Sequence, residues 1–122
     1  MLDASAALAY LQGEAGGDEV FDLLDRSVMS AVNWSETLRK AAALGVYPTA
    51  VEARLLAMGL EVVPFDADDA ARAANLWRTT RAAGLSLGDR ACLALAQRLQ
   101  APPRTTDRIW AELSGMAVRV LR

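Results

Sequence analysis

Apolar residues along this chain fall into short clusters set apart by glycine, proline and polar breakers. Their spacing alternates between the two-residue period of strands and the 3.6-residue period of helices. Met1 to Asp3 reads as the end of a strand, Ala4 to Leu11 as a helix, and Asp18 to Leu24 as a second helix after the Gly16-Gly17 break. Ser27 to Ser30 is a candidate strand. Asn33 opens a helical run to about Leu44, which Gly45 stops, and Pro48 stands near the start of another helix ending around Met58 and Gly59. Leu60 to Pro64 gives the clearest strand pattern. A long helix is expected from Asp66 to Ala83, with Ala70, Ala73, Ala74 and Trp77 at helical spacing and Gly84 ending it. Ser86 starts the next helix, which Ala101-Pro102-Pro103 breaks. Arg104 to Thr106 then reads as a strand, Asp107 opens a helical turn to Leu113, and Ala117 to Leu121 alternates as a closing strand.

Strands alternating with helices predict an α/β fold, with a short, mostly parallel sheet of about four or five strands flanked by helices. In such sheets ligands gather at the carboxyl ends of the strands, where Asp3 and Asp107 both fall. At 122 residues the chain fits a single domain over 1–122. No apolar run approaches the roughly 18 residues that cross a bilayer, so a cytoplasmic protein with no membrane association is expected.

Composition narrows the chemistry. Histidine is absent, which removes Ser-His and Cys-His nucleophile pairs, histidine zinc motifs and imidazole acid-base work. The single cysteine, Cys92, lies among Ala91, Leu93, Leu95 and Ala96 and reads as a core thiol. Carboxylates, hydroxyls, arginine and a bound ion remain, and carboxylate oxygen suits Mg²⁺ or Mn²⁺. Net charge is −2, so no global basic field exists to hold a polyanion, which must instead be met locally. Twelve of the 13 basic residues are arginine, whose forked donors suit phosphate and carboxylate alike.

Four acids stand out by context: Asp3 in LDASAAL, Glu36 in SAVNWSETL, Asp89 in LSLGDRACLALA and Asp107 in TTDRIW. Each also has a purely structural reading. Asp3 and Asp107 are placed to cap helices, and Asn33–Glu36 and Ser86–Asp89 both have the capping-box spacing. Taken one at a time, none is diagnostic.

Together, LDASAAL, SAVNWSETL, LEVVPFD, GLSLGDRACLALA and TTDRIWAEL resemble, in order and spacing, the signature segments of PIN-domain proteins of the VapC toxin group, over essentially the whole chain. That resemblance implies a PIN-like three-layer fold and a Mg²⁺- or Mn²⁺-dependent endoribonuclease that leaves a 5′-phosphate and a 3′-hydroxyl. It implies Asp3, Glu36, Asp89 and Asp107 as metal-site acids, Ser5 and Thr105 as hydrogen-bonding supports, a homodimer, and a cognate VapB-type antitoxin that blocks the site. The chemistry is physically consistent. Clustered carboxylates raise one another's pKa unless positive charge joins them, and a divalent ion supplies that charge while polarising a water for attack on phosphorus. Asp89 and Asp107 are both open as the base. Two departures are visible: only Met1 and Leu2 precede Asp3, and Arg104 stands where the family has an apolar strand residue.

Arg90 and Arg108 each follow a site acid directly and are candidates for phosphate contact, or else solvated surface arginines. Trp77 reads as core and Trp110 as packing for the Asp107 turn, while Trp34 fits either packing or base stacking. The segments Val20 to Leu24 and Val51 to Met58 are candidate surfaces for a dimer or partner. Two rival functions stay open: a housekeeping PIN nuclease in RNA processing, and a non-catalytic interaction module whose acidic pocket binds an arginine-bearing partner.

Overall fold

The computed structural model describes residues 1–113 and 117–121. Helix α1 spans Ala4–Gln12 and α2 Gly17–Leu23, followed by a 3-10 turn at Leu24–Arg26. Strand β1 (Val28–Ser30) runs straight into α3 (Ala31–Ala43), then come α4 (Pro48–Ala57) and β2 (Glu61–Val63). Helices α5 (Ala67–Asn75), α6 (Trp77–Thr80) and α7 (Leu87–Leu99) precede β3 (Arg104–Thr105), a 3-10 stretch at Arg108–Glu112, and β4 (Arg119–Val120).

The strands pair in parallel, β1 with β2 and β3 with β4. Met1 to Asp3 is too short to form a named strand, yet it joins the two pairs. Leu2 N–H donates to Val28 O (3.0 Å), Arg104 N–H to Met1 O (2.8 Å) and Asp3 N–H to Arg104 O (3.2 Å). The resulting order is β4, β3, the Met1–Asp3 segment, β1, β2, so the chain's first residues occupy the middle of the sheet. Hydrogen bonds on both sides fix Asp3 at the carboxyl end of the central strand. Leu2, Ala6, Val20, Leu24, Met29, Leu55 and Leu121 form one core, and Cys92, Leu93, Leu95 and Trp110 belong to a second.

Three elements differ from the pattern the sequence suggests. The helix expected over Asp66–Ala83 breaks at Leu76, whose carbonyl accepts the hydroxyls of Thr79 (3.2 Å) and Thr80 (2.7 Å), back-bonding that bends helices. Its inward face is Asp69, Ala73, Leu76 and Thr80, so Ala70, Ala74 and Trp77 are exposed, and Trp77 packs under Arg81 instead of in the core. Asp69 faces inward because Arg98 of α7 binds both its oxygens, at 2.9 and 3.3 Å. Helix α3 begins at Ala31 with Ser30 as its N-cap, and Asn33 lies within the first turn. In the proposed partner surfaces, Val20, Leu24, Val51 and Leu55 are core residues, which leaves Phe21 and Leu56 as the exposed large side chains there.

Candidate active site

Asp3 is the N-cap of α1: its Oδ1 accepts from Ala6 N–H at 2.9 Å. The carboxylate is also the hub of a wider knot. Ser5 donates to Oδ1 at 2.8 Å and Thr105 to Oδ2 at 2.6 Å, and the two hydroxyls lie 3.0 Å apart. Ser5 in turn accepts from Thr106 N–H at 3.1 Å, and Thr105 accepts from Asp107 N–H at 3.0 Å. Of the two threonines before Asp107, Thr105 carries the hydroxyl that reaches Asp3. The knot ties the start of α1 to the end of β3, the neighbouring strand.

Asp3 is 3% exposed, and burial pushes its carboxyl up to about 6. The hydrogen bonds from Thr105, Ala6 and Ser5 oppose that rise, and the Asp89 charge adds to it. Asp89 therefore lies near enough to repel Asp3. Its own side chain closes a capping box at the start of α7, with Oδ2 accepting from Ser86 N–H (2.9 Å) and Ser86 Oγ accepting from Asp89 N–H (3.2 Å). Asp107 is exposed and caps the 3-10 stretch, its Oδ1 accepting from Ile109 N–H at 3.1 Å.

Glu36 makes no capping box, because α3 begins five residues before it. Instead it lies against Gly88, the residue before Asp89. A Cβ on Gly88 would stand 3.0 Å from Glu36 Oε2 and 3.7 Å from Asn33 Nδ2. Lys40, one turn along α3, sits 3.6 Å from Glu36 Oε1. Two residues acquire roles here that their sequence context did not announce. Gly88 admits Glu36, and buried Asn33 donates from Nδ2 to Gly88 O at 2.9 Å, clamping α3 to the first turn of α7. Asn33 stood out only as a helix-start signal; its partner lies 55 residues away.

The arginines differ in setting. Arg90 is half-buried and donates from one guanidinium nitrogen to Ala73 O on α5 at 3.4 Å, whereas Arg108 is exposed. Asp3, Ser5, Thr105 and the Asp107 amide thus form one hydrogen-bonded unit, Glu36 lies against Gly88, the residue before Asp89, and Asp89's charge reaches Asp3.

The profile of the PIN domain matches residues 1–115. The chain belongs to the PIN-domain family. Against curated protein sequences this PIN domain finds no significant match. Its fold is similar to a chain of a toxin–antitoxin complex from Klebsiella pneumoniae, with TM-score 0.73 and 17% identity over 98% of both chains. Similar too are chains from a DNA-bound VapBC of Salmonella typhimurium and from VapBC2 of Rickettsia felis bound to a promoter DNA fragment. The former has TM-score 0.73 and 18% identity over 100% of this chain and 97% of that one; the latter has 0.72 and 15% over 100% and 98%.

All the donors at this site are carboxylate or hydroxyl oxygens, the set that suits Mg²⁺ or Mn²⁺, and a buried acid repelled by a second acid is the situation a cation relieves. The donor chemistry fits such an ion. Among the described residues, no three acidic side chains already stand close enough to share one.

Proposed function

We propose that this chain is a Mg²⁺- or Mn²⁺-dependent endoribonuclease, the toxin of a VapBC-type toxin–antitoxin module, acting in the cytoplasm as one PIN domain. The observation that carries the reading is Asp3: a buried carboxyl at the carboxyl end of the central strand, pushed up to about 6 and repelled by Asp89. Asp3, Glu36, Asp89 and Asp107 would hold the ion. When bound, it supplies Lewis-acid polarisation of a water and neutralises charge on the phosphoryl oxygens.

The chain's own groups do the rest. Ser5, Thr105 and the Ala6 amide lock the Asp3 carboxylate in one orientation, so it does not have to be ordered during reaction. The Asp107 amide hangs from the same Thr105 hydroxyl, which couples the β3 turn to Asp3. Asp89 and Asp107 are the candidates to accept the proton lost by the attacking water. Arg108, exposed beside Asp107, is free to meet phosphate.

The three similar structures named above are toxin–antitoxin complexes, which supports a VapB-type antitoxin as partner; a homodimer is the assembly that goes with this reading. An apolar groove of about 300 Å³ between α1, α3 and α4, with Leu8, Leu44 and Val51 in its walls and Arg54 at its rim, offers such a partner a seat. A second reading, a non-catalytic PIN-fold module, draws on the engagement of Asp89 by Ser86 and on the dispersed acids.

Purified chain and its Asp89→Asn variant, incubated with a mixed RNA pool in Mn²⁺ or Mg²⁺ against EDTA, separate the two. Asparagine keeps an oxygen for the Ser86 amide, so the variant should fold. Cleavage that needs both ion and Asp89 supports the ribonuclease. Equal cleavage by the variant removes Asp89 from the site, and a folded wild type that neither cleaves RNA nor binds Mn²⁺ sinks the enzyme reading.

A further inference from the structure

Glu36 also lines an open groove of about 640 Å³ between α3 and the first turn of α7, with Phe65 of the segment after β2 in its wall. Its volume falls within the range of ligand-binding clefts. Arg39, one turn after Glu36 on α3, lines the same groove, is exposed, and forms no ion pair with any acid among the described residues. The groove's one acidic lining residue, Glu36, already has Lys40 at 3.6 Å. The lining charges therefore balance in number, with the Glu36 carboxylate engaged by Lys40 from outside the groove and the exposed Arg39 guanidinium left without a counter-charge among the described residues. Phe65 is half-buried and Leu87 is 55% exposed, so an aromatic ring and an aliphatic side chain stand beside that guanidinium. A cation next to apolar and aromatic surface is the arrangement that holds single-stranded nucleic acid, with phosphate on arginine and bases stacked on rings. Gly88 lines the groove and adjoins Asp89, so the groove begins beside two of the candidate site acids, Glu36 and Asp89.

We propose that this groove seats the RNA strand flanking the scissile bond, with Arg39 contacting a phosphate and Phe65 and Leu87 packing against the adjoining base. The inference rests on the ribonuclease reading above. It places a phosphate contact on an arginine 51 residues before Arg90, whose guanidinium donates to Ala73 O. The apolar share of the groove would also suit a second copy of the chain, an occupant that the test separates by its oligomeric-state arm.

The test uses the full chain with labelled mixed RNA, binding measured in EDTA and cleavage in Mn²⁺. It compares Arg39→Ala, Arg39→Lys and Phe65→Leu with Arg78→Ala, an exposed arginine on α6 away from the groove. Arg39→Ala should weaken RNA binding by about tenfold or more, the loss expected for a charge-assisted hydrogen bond. It should flatten the dependence of log affinity on log salt by about 0.7, one single-strand phosphate contact. KM should rise while kcat at saturating RNA stays within about twofold, because Arg39 touches no reacting group. Arg39→Lys should recover part of the affinity, Phe65→Leu should weaken binding without changing the salt slope, and Arg78→Ala should leave both unchanged. An Arg39→Ala protein matching Arg78→Ala in affinity and salt slope overturns the proposal while wild-type cleavage preserves the ribonuclease reading. Wild type that neither binds nor cleaves RNA overturns both. If the groove variants shift the oligomeric state by light scattering and leave RNA affinity intact, the groove is an interface between copies and the proposal falls.

Discussion

Replacing Asp3 with Asn should stabilise the metal-free protein at neutral pH, although it removes a central acid of the candidate site. Asp3 is 3% exposed and its carboxyl is pushed from 3.8 up to about 6. A carboxyl whose pKa is raised on folding binds protons more tightly in the native state. Its contribution is fully present below about 3.8 and is lost as pH rises through about 6. Holding the ionised form at neutral pH therefore costs about 3 kcal/mol, at about 1.4 kcal/mol per pH unit. Asparagine keeps one oxygen for Ala6 N–H and the Ser5 hydroxyl but presents an amide where Thr105 donates, which removes about 1 kcal/mol of hydrogen bonding. The net gain is about 2 kcal/mol, or about 8 °C in Tm for a domain of this size.

The assay is urea and thermal unfolding of both proteins in EDTA, at about pH 4 and about pH 7.5. Asp3→Asn should be more stable at the higher pH and no better, or slightly worse, at the lower. Adding Mn²⁺ should raise the Tm of the wild type and leave the variant nearly unmoved, since binding to the native state alone stabilises it. A variant no more stable at neutral pH, or one whose advantage is equal at both values, would refute the account of Asp3 as a buried charge held ready for a cation.

Gly88→Ala places a methyl group 3.0 Å from Glu36 Oε2, and the free end of that side chain is able to swing aside. Stability should change by less than about 1 kcal/mol, since alanine also favours the helix, while RNA cleavage and Mn²⁺ affinity both fall; retained cleavage would remove Glu36 from the site. Asn33→Ala deletes the Nδ2 bond to Gly88 O in the buried seam between α3 and α7 and should lower stability by about 1–3 kcal/mol, read by urea unfolding. An effect within about 0.5 kcal/mol would mean that the clamp is not holding α7.

The α/β order and most element positions were legible because they follow from local period and punctuation: Gly84 ends the helical stretch before it, Pro48 starts α4, and Ser86–Asp89 forms the expected capping box. What local pattern missed has a common cause in polar side chains turned inward towards distant partners. Asp69 meets Arg98 29 residues on, and Asn33 meets Gly88 55 residues on, so each displaces the apparent inner face of its helix. The surroundings of Arg90 and Arg39 were hidden for the same reason, since neither the Ala73 carbonyl nor the groove beside Glu36 is visible along the chain.

A capping role does not exclude site chemistry. Asp3, Asp89 and Asp107 each cap a helical segment, because helix starts near the carboxyl ends of parallel strands are where amide donors and acids coincide, and the cap fixes the carboxylate. Glu36 is the exception. It sits mid-helix, away from any cap, and its one ion pair is a half-exposed contact with Lys40 worth less than about 1 kcal/mol. Structure alone gives little reason for an acid there, so Glu36 separates the two readings most cleanly. Glu36→Gln should leave the urea midpoint nearly unchanged, shifting stability by no more than about 0.5 kcal/mol, while RNA cleavage drops by about a hundredfold or more, the scale of losing one pre-oriented electrostatic group at a reaction centre. If cleavage instead persists at wild-type level in a folded Glu36→Gln protein, the working acids are Asp3, Asp89 and Asp107, and the groove beside Glu36 serves binding alone.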